Sequence, residues 1–396
     1  MTLGNSMLIP ILPAIEKHLN VSGLQSSMLI TVYSVMAILF IPVAGYLSDR
    51  AGRKAVILPC LALAGAGGAL CGFASGFHSN AYGWILAGRI LQGLGAAGAM
   101  PIVIPLVGDL YREKEQVSAG LGIVETANTF GKVLSPIVGS ALALWAWSVP
   151  FWSIPVFCAI SILLVAFLVR KPKREQEKPL PFKTFIRSTF RLYLSKVRWI
   201  TALFAIGGIG MFVLFGTLFY LSETLENEHH LKGILKGCVL AIPLTFLCLT
   251  SFIVGKCIGE RKKLMKWLIT FGFFLAAAAI AGCLAFPSVV GRMACLSAAG
   301  IGIGAALPCS DALITEGIEK EQRGTIGSLY SSMRFLGVAA GPPAASLLMR
   351  GSTSALFWTL AIASAASCLA ALLAIRPGRK PEPESSPRLQ RVQDLW

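Results

Sequence analysis

Apolar residues run along this chain in blocks of about twenty, separated by short polar segments rather than alternating with them. That is the length of helix that crosses the hydrocarbon core of a bilayer. Backbone amides in lipid must be bonded within their own segment, so the blocks predict helices. Twelve are read, at 1–15, 24–47, 55–77, 82–108, 118–144, 150–169, 199–222, 231–255, 264–286, 289–314, 324–349 and 355–375. Only two polar stretches are long, 170–198 and 376–396. The pattern therefore predicts an all-α membrane protein of twelve transmembrane helices in two six-helix halves. The halves are 1–169 and 199–375, joined by a cytoplasmic central loop, 170–198, and followed by a cytoplasmic tail, 376–396. The first block is too short to cross fully, closed as it is by Glu16, and reads as truncated by a misplaced start.

The halves repeat each other. Lys114-Glu115-Gln116 returns as Lys320-Glu321-Gln322, a shift of 206, which also carries Gly131 onto Gly337 and Pro136 onto Pro342 and brings Asp109 within one position of Glu316. Parallel repeats of this kind rock about a site near the membrane midplane. Within the central loop, Phe182, Phe185, Ile186 and Phe190 share a helical face flanked by Lys183, Arg187 and Arg191. They read as a helix lying in the inner interface on anionic lipid, with a solvated linker as the plainer alternative.

Composition agrees. Hydrophobic residues make up 55% of the chain, charged residues only 14%, and the mean hydropathy is +0.71. Soluble domains carry about 25% charged residues. The net charge of +16 could suggest nucleic acid, but the charges crowd between apolar blocks. Of 35 Lys and Arg, 27 fall in the tail, the central loop and alternate connections. Five lie in the remaining connections: Lys17, Lys232, Lys236, Arg292 and Arg350. By the positive-inside rule both termini are cytoplasmic and the protein is a multi-pass component of the cell membrane.

No C-x-x-C occurs among the ten cysteines, which read as small thiols within helices. No phosphate-cradling G-x-x-x-x-G-K-[ST] is present. His229-His230 falls in an outer acidic loop with Glu223, Glu226 and Glu228, which reads as solvated rather than metal-binding. No nucleophile–base arrangement, metal site or cofactor site is read, so the chain is not expected to be an enzyme.

Three motifs carry mechanism. Between spans 2 and 3, Gly45-Tyr46-Leu47-Ser48-Asp49-Arg50-Ala51-Gly52-Arg53-Lys54 makes a tight turn with one carboxylate among cations. Composition alone would allow a generic inside loop, but the pattern resembles the G-x-x-x-D-R-x-G-R-K signature of the major facilitator superfamily. Its second-half counterpart, Gly255 to Arg261, lacks the aspartate. The resemblance implies that Asp49 and Arg53, with Asp109, latch the outward-facing state. Arg89, Gln92, Gly93 and Gly95 resemble the R-x-x-Q-G-x-G motif of proton-coupled drug exporters. An arginine inside an apolar helix costs roughly 3 kcal/mol or more and marks function by default, although a purely structural arginine is the alternative. Gly122, Gly131, Ser135, Pro136 and Gly139, followed by Ser140, resemble the antiporter motif G-x8-G-x3-G-P-x2-G-G, with serine twice in place of glycine. Small residues let helices approach closely and proline bends the path.

Glu125, Asn128, Thr129 and Lys132 share one face of the same helix. With Arg89, Gln92 and Arg334 they read as projecting toward a central cavity, Asn128, Lys132, Arg334 and Gln92 as substrate contacts. A static ion-pair network is the alternative. Glu125 is the expected proton carrier, Asp311 the second candidate, and Arg89 their partner in coupling. The reading is a monomeric drug:proton antiporter that exports amphipathic organic compounds. Its alternative is a transporter of the same superfamily for a specific metabolite, siderophore or sugar.

Overall fold

The computed structural model describes residues 2–77, 80–111, 114–169, 197–259, 261–317 and 323–375. The central-loop helix, the tail, and Lys320-Glu321-Gln322 lie outside the described residues, as do the side chains of Glu125 and Glu316. The first span is neither one helix nor finished at residue 15. It runs as α1 (Thr2–Ser6), a 3-10 turn (Ile9–Ile11) and α2 (Leu12–Leu19). Pro10 and Pro13 each remove an amide donor, which breaks the helix between its two pieces. Asn20, at φ +52°, closes α2 in the left-handed region. The span thus continues past Glu16, so a charged residue near its end does not mark its limit.

After it come α3 (Gly23–Ala51), α4 (Arg53–Ala74), α5 (Ala81–Ala99), α6 (Val103–Leu110), α7 (Lys114–Leu142) and α8 (Val149–Leu168). Then follow α9 (Val197–Asn227), α10 (Gly233–Cys257), α11 (Lys262–Ala285), α12 (Val289–Gly317), α13 (Arg323–Gly351) and α14 (Thr353–Ala374). A capping box opens α3: the Gln25 amide donates to Ser22 Oγ, and the Ser22 amide to Gln25 Oε1. The predicted fourth span is broken at residues 100–102, where Pro101 interrupts the backbone ladder between α5 and α6. The predicted seventh span is longer than expected and reaches Asn227.

Among the described residues eight helices are long and apolar enough to cross a membrane: α3, α4, α8, α9, α10, α11, α12 and α14. Their large apolar side chains face outward freely; Phe73, Phe167 and Ile362 are well exposed, as a lipid-facing surface requires.

Packing follows a repeated scheme. α3 lies on α5 and α4 on α5 and α8, while α10 lies on α12 and α11 on α12 and α14. Two further contacts, α3 with α13 and α7 with α10, tie the earlier helices to the later ones. Thr31 Oγ1 donates to the Ala339 carbonyl across the first of these seams, at 2.7 Å. At the other, a Cβ on Gly237 would stand 2.5 Å from the Pro136 carbonyl oxygen. Near the same end, a Cβ on Gly139 would stand 2.2 Å from the Met7 carbonyl oxygen, so α7 meets the first span backbone to backbone. Neither position admits a side chain without moving a helix. Gly139→Val is therefore expected to destabilise the protein by about 1–3 kcal/mol or more. Thermal unfolding of the purified variant in detergent checks it; an unchanged midpoint would contradict the packing described.

Candidate functional site

At the junction of α3 and α4, Gly52 is the only linking residue. Its φ of +99° lies where a side chain would be strained, so glycine permits the turn. The turn places Arg53 beside two carboxylates. Arg53 Nη1 donates to Asp49 Oδ1 and, at 2.7 Å, to Ser48 Oγ. Arg53 Nε donates to Asp109 Oδ2 on α6 at 2.9 Å. Asp49 and Asp109 remain 44% and 42% exposed, so water weakens both pairs. Lys54 Nζ donates to the Ala166 and Val169 carbonyls at 2.6 and 2.9 Å and so caps the end of α8. Arg50 sits over the Tyr46 ring, 5.5 Å from its centroid. These contacts join α3, α4, α6 and α8 to one another. Gly45 looks toward Ser328 of α13, whose Oγ would be 3.8 Å from an added Cβ.

Arg89 on α5 is completely buried. Its Nε donates to the Leu29 carbonyl of α3 at 2.7 Å, its Nη1 to Gln92 Oε1 and its Nη2 to Asn5 Oδ1 of α1. The guanidinium lies 4.4 Å from the Tyr33 ring centroid. Neutral acceptors and an aromatic face thus hold the charge between three helices, and Arg89 does not line the cavity described next. Gln92 is likewise buried, with Nε2 turned to Cys71 Sγ.

Lys132 does reach a cavity. A narrow space between the first span, α7, α9 and α10 is lined by Ser6, Ile9, Lys132, Leu214, Phe215 and Leu244, among others. Lys132 is its one cationic wall. Asn128, a turn earlier, accepts from Thr2 Oγ1. Ser135 Oγ donates to the Gly131 and Leu3 carbonyls, a bond pattern that bends a helix. Arg334 of α13 pairs with Asp311 of α12, Nη1 to Oδ2 at 3.2 Å and to Oδ1 at 3.3 Å. The expected constellation is thereby divided: Lys132 at the cavity, Asp311 with Arg334 in the later helices, Arg89 locked in the earlier ones. Glu125 and Gly122 belong to α7, but the Glu125 side chain lies outside the described residues.

Sequence reasoning missed Asn5 and Tyr33, which hold Arg89, because nothing in their spacing links them to it. It also misplaced Glu223, Glu226 and Lys236. They lie not in outer loops but in α9 and the first turns of α10, where each is buried. Glu226 Oε1 accepts from Lys17 Nζ at 3.0 Å, and Oε2 from Lys236 Nζ at 2.9 Å. The signal was present: Glu223 and Glu226 are three residues apart and continue the helical phase of span 7.

The family model described as the Major Facilitator Superfamily matches residues 1–290 and 265–395, nearly the whole chain. The chain belongs to the major facilitator superfamily. It is a multi-pass membrane protein of a transporter family. Superfamily relatives include the bacillibactin exporter of Bacillus subtilis (strain 168), 53% identical over 387 residues, covering 98% of this chain and 96% of that protein. The class C tetracycline resistance protein of Escherichia coli is 26% identical over 393 residues, covering 93% of each. Among solved structures, the human organic anion transporter MFSD10 superposes with a TM-score of 0.72 at 19% identity, over 93% of this chain and 96% of that one. A bacterial homologue of the human lysosomal transporter Spinster, inward-facing and unoccupied, superposes at 0.69 and 16% identity, over 94% and 92%. These two likenesses concern the fold.

Arg89→Leu would orphan three buried acceptors, each costing about 1–3 kcal/mol. It is expected to lower stability by about 3 kcal/mol or more. A melting temperature equal to the parent's would show that the acceptors are satisfied elsewhere.

Proposed function

We propose that this chain exports one specific class of small organic molecule, of the siderophore type, across the cytoplasmic membrane by alternating access. The observation that carries it is the 53% identity, end to end, with a bacillibactin exporter. The broader reading, efflux of many amphipathic drugs, draws only on relatives near 26% identity such as the tetracycline resistance protein. A site for one cargo is favoured accordingly.

In this reading the chain has twelve spans, α1 to α2 and α5 to α6 each forming one, with α7 and α13 crossing despite their charges. The recurrence of the packing scheme before and after the central loop supports two six-helix halves meeting at the α3–α13 and α7–α10 seams. Positive-inside charge supports cytoplasmic termini and puts the Arg53 cluster on the inner face. The cargo site lies between the halves at the space that Lys132 borders, where its ammonium supplies positive charge to an anionic molecule, and Arg334, paired with Asp311 on the later helices, stands outside that lining. Asp49, Arg53 and Asp109 act as the inner latch. Protons drive the exchange, and Glu125 carries them, with Asp311 as the second carboxylate; the protein works as a monomer.

The deciding experiment is complementation. A Bacillus subtilis strain lacking its bacillibactin exporter, grown without iron, should resume secretion of bacillibactin when it expresses this chain. Secretion that stays absent while dyes are expelled would replace this reading with multidrug efflux. Lys132→Gln is expected to cut export about tenfold or more at equal expression, Lys132→Arg much less, as for a charge-assisted contact. Glu125→Gln should abolish uphill export while cargo binding persists; export that continues uphill removes Glu125 as carrier.

A further inference from the structure

The end of the seam opposite the Arg53 cluster is closed by charge. α2 contributes Glu16 and Lys17, α9 contributes Glu223, Glu226 and Asn227, and α10 contributes Lys236. Glu226 is held between Lys17 and Lys236. Lys236 Nζ also donates to the Pro10 carbonyl at 2.6 Å, and Ser222 Oγ to the Ile9 carbonyl at 2.9 Å, so the first span is stitched to α9 and α10. Beneath these bonds Leu8, Ile11, Leu12 and Ile15 pack with Leu218 and Leu225 in one apolar core.

Within this closure one carboxylate oxygen is not answered. Glu223 is 9% exposed; its Oε2 accepts from Asn227 Nδ2 at 2.8 Å, but its buried Oε1 has no hydrogen-bond partner. The Glu223 carboxyl faces that of Glu16, with Lys236 and Glu226 also close by. The Glu16 carboxylate accepts from Ser26 Oγ and lies against Gly23 at the start of α3, beside Ser346 of α13. Two ionised carboxylates are both acceptors and cannot bond to each other. A single proton turns one into a donor and satisfies the orphan oxygen. It also balances the charge, since three carboxylates, Glu16, Glu223 and Glu226, stand with two ammonium groups, Lys17 and Lys236.

We propose that Glu16 and Glu223 form a proton-binding site across the seam, loaded from water at this face, and that the bound proton keeps the face shut. Among the described residues around the pair, beyond Lys17 and Lys236, no further cation is placed to do this. His18 is stacked on Trp147, and Arg292 of α12 donates to Tyr220 Oη. Glu228, His229, His230 and Lys232 follow in the exposed connection beyond α9. The sign follows from linkage. The apposed carboxyls share a proton and the separated, hydrated ones do not, so the closed face gains stability as pH falls and loses it as pH rises. A site that loads and empties on one side carries no proton across the membrane and differs in role from Glu125. That this face is the external one rests on the orientation proposed above.

Hydrogen exchange of the full chain in lipid nanodiscs tests the site, with each variant compared with the parent at the same pH. In the parent, amides of residues 9–20 and 220–236 should gain protection as pH falls, by up to about tenfold per unit, the limit for one linked proton. Glu223→Gln supplies a donor permanently and should leave both segments protected at every pH; Glu16→Gln should do the same and serves if the first variant does not fold. Glu226→Gln removes two ion pairs and should loosen the face at every pH. A parental pH slope in a folded Glu223→Gln or Glu16→Gln protein, or loosening like that of Glu226→Gln, would overturn the proposal. The measurement uses no cargo, so failed bacillibactin secretion would overturn the export reading and leave this one standing. Acidifying one side of oriented vesicles then separates the site from the orientation: a response only to the inner side would reverse the orientation alone.

Discussion

A charge inside a lipid-embedded bundle has to be answered by polar atoms of the same chain, because no water is there to do it. That constraint orders this structure more than hydrophobicity does, since lipid tails are as apolar as the helices they surround. Each buried charge is answered differently. Arg89 takes a carbonyl, two amide oxygens and a ring face, all neutral, and so remains charged without an acidic partner. Arg334 is met by Asp311, and Glu226 by two lysines. Where the answer comes from one side of the seam, it builds a rigid body; where it comes from both sides, it decides whether the seam is open.

The helices were largely legible in the sequence, because a twenty-residue apolar block admits few other structures in lipid. Their interruptions were not. The breaks at Pro10–Pro13 and at Pro101 fall inside apolar runs, and hydropathy does not register a lost amide donor. Helix ends marked by charge lie further along than hydropathy indicates, past Glu16 and past Glu223, since a carboxylate at the end of a span looks like water-facing loop until its partner is known. Partner identity is the part that a single sequence withholds. Lys17 and Glu226 lie 209 residues apart, and only the fold puts them 3.0 Å from each other.

The candidate site divides along the same line. Asp49, Arg53 and Asp109 were readable because the motif is local, and a one-residue turn at Gly52 leaves Arg53 few places to go. The central group of ionisable residues was read as a single constellation because helical phase places Lys132 with Asn128, and the repeat places Arg334 near them. Phase gives a direction for each residue on its own helix, but not the rotation of that helix about its axis. In the fold α5 turns Arg89 toward α1 and α3, away from the space that Lys132 borders.

The two ends of the seam are built unequally, and that difference bears on how such a transporter moves. The Arg53 network is half open to water and ties α4 to α3 and α6. In the Glu226 network Glu226 and Lys236 are buried while Lys17 reaches water, and it joins α2 to α9 and α10. Separating Lys236 from Glu226 and from the Pro10 carbonyl exposes groups that water can then hydrate, which offsets part of the bonding lost. The apolar core beneath, which includes Leu8, Leu12, Leu218 and Leu225, gains nothing from that exchange and resists opening throughout. Closure at this end therefore combines an apolar part that varies little with conditions and a charged part that depends on protonation. Only the second can respond to the medium on its own side of the membrane.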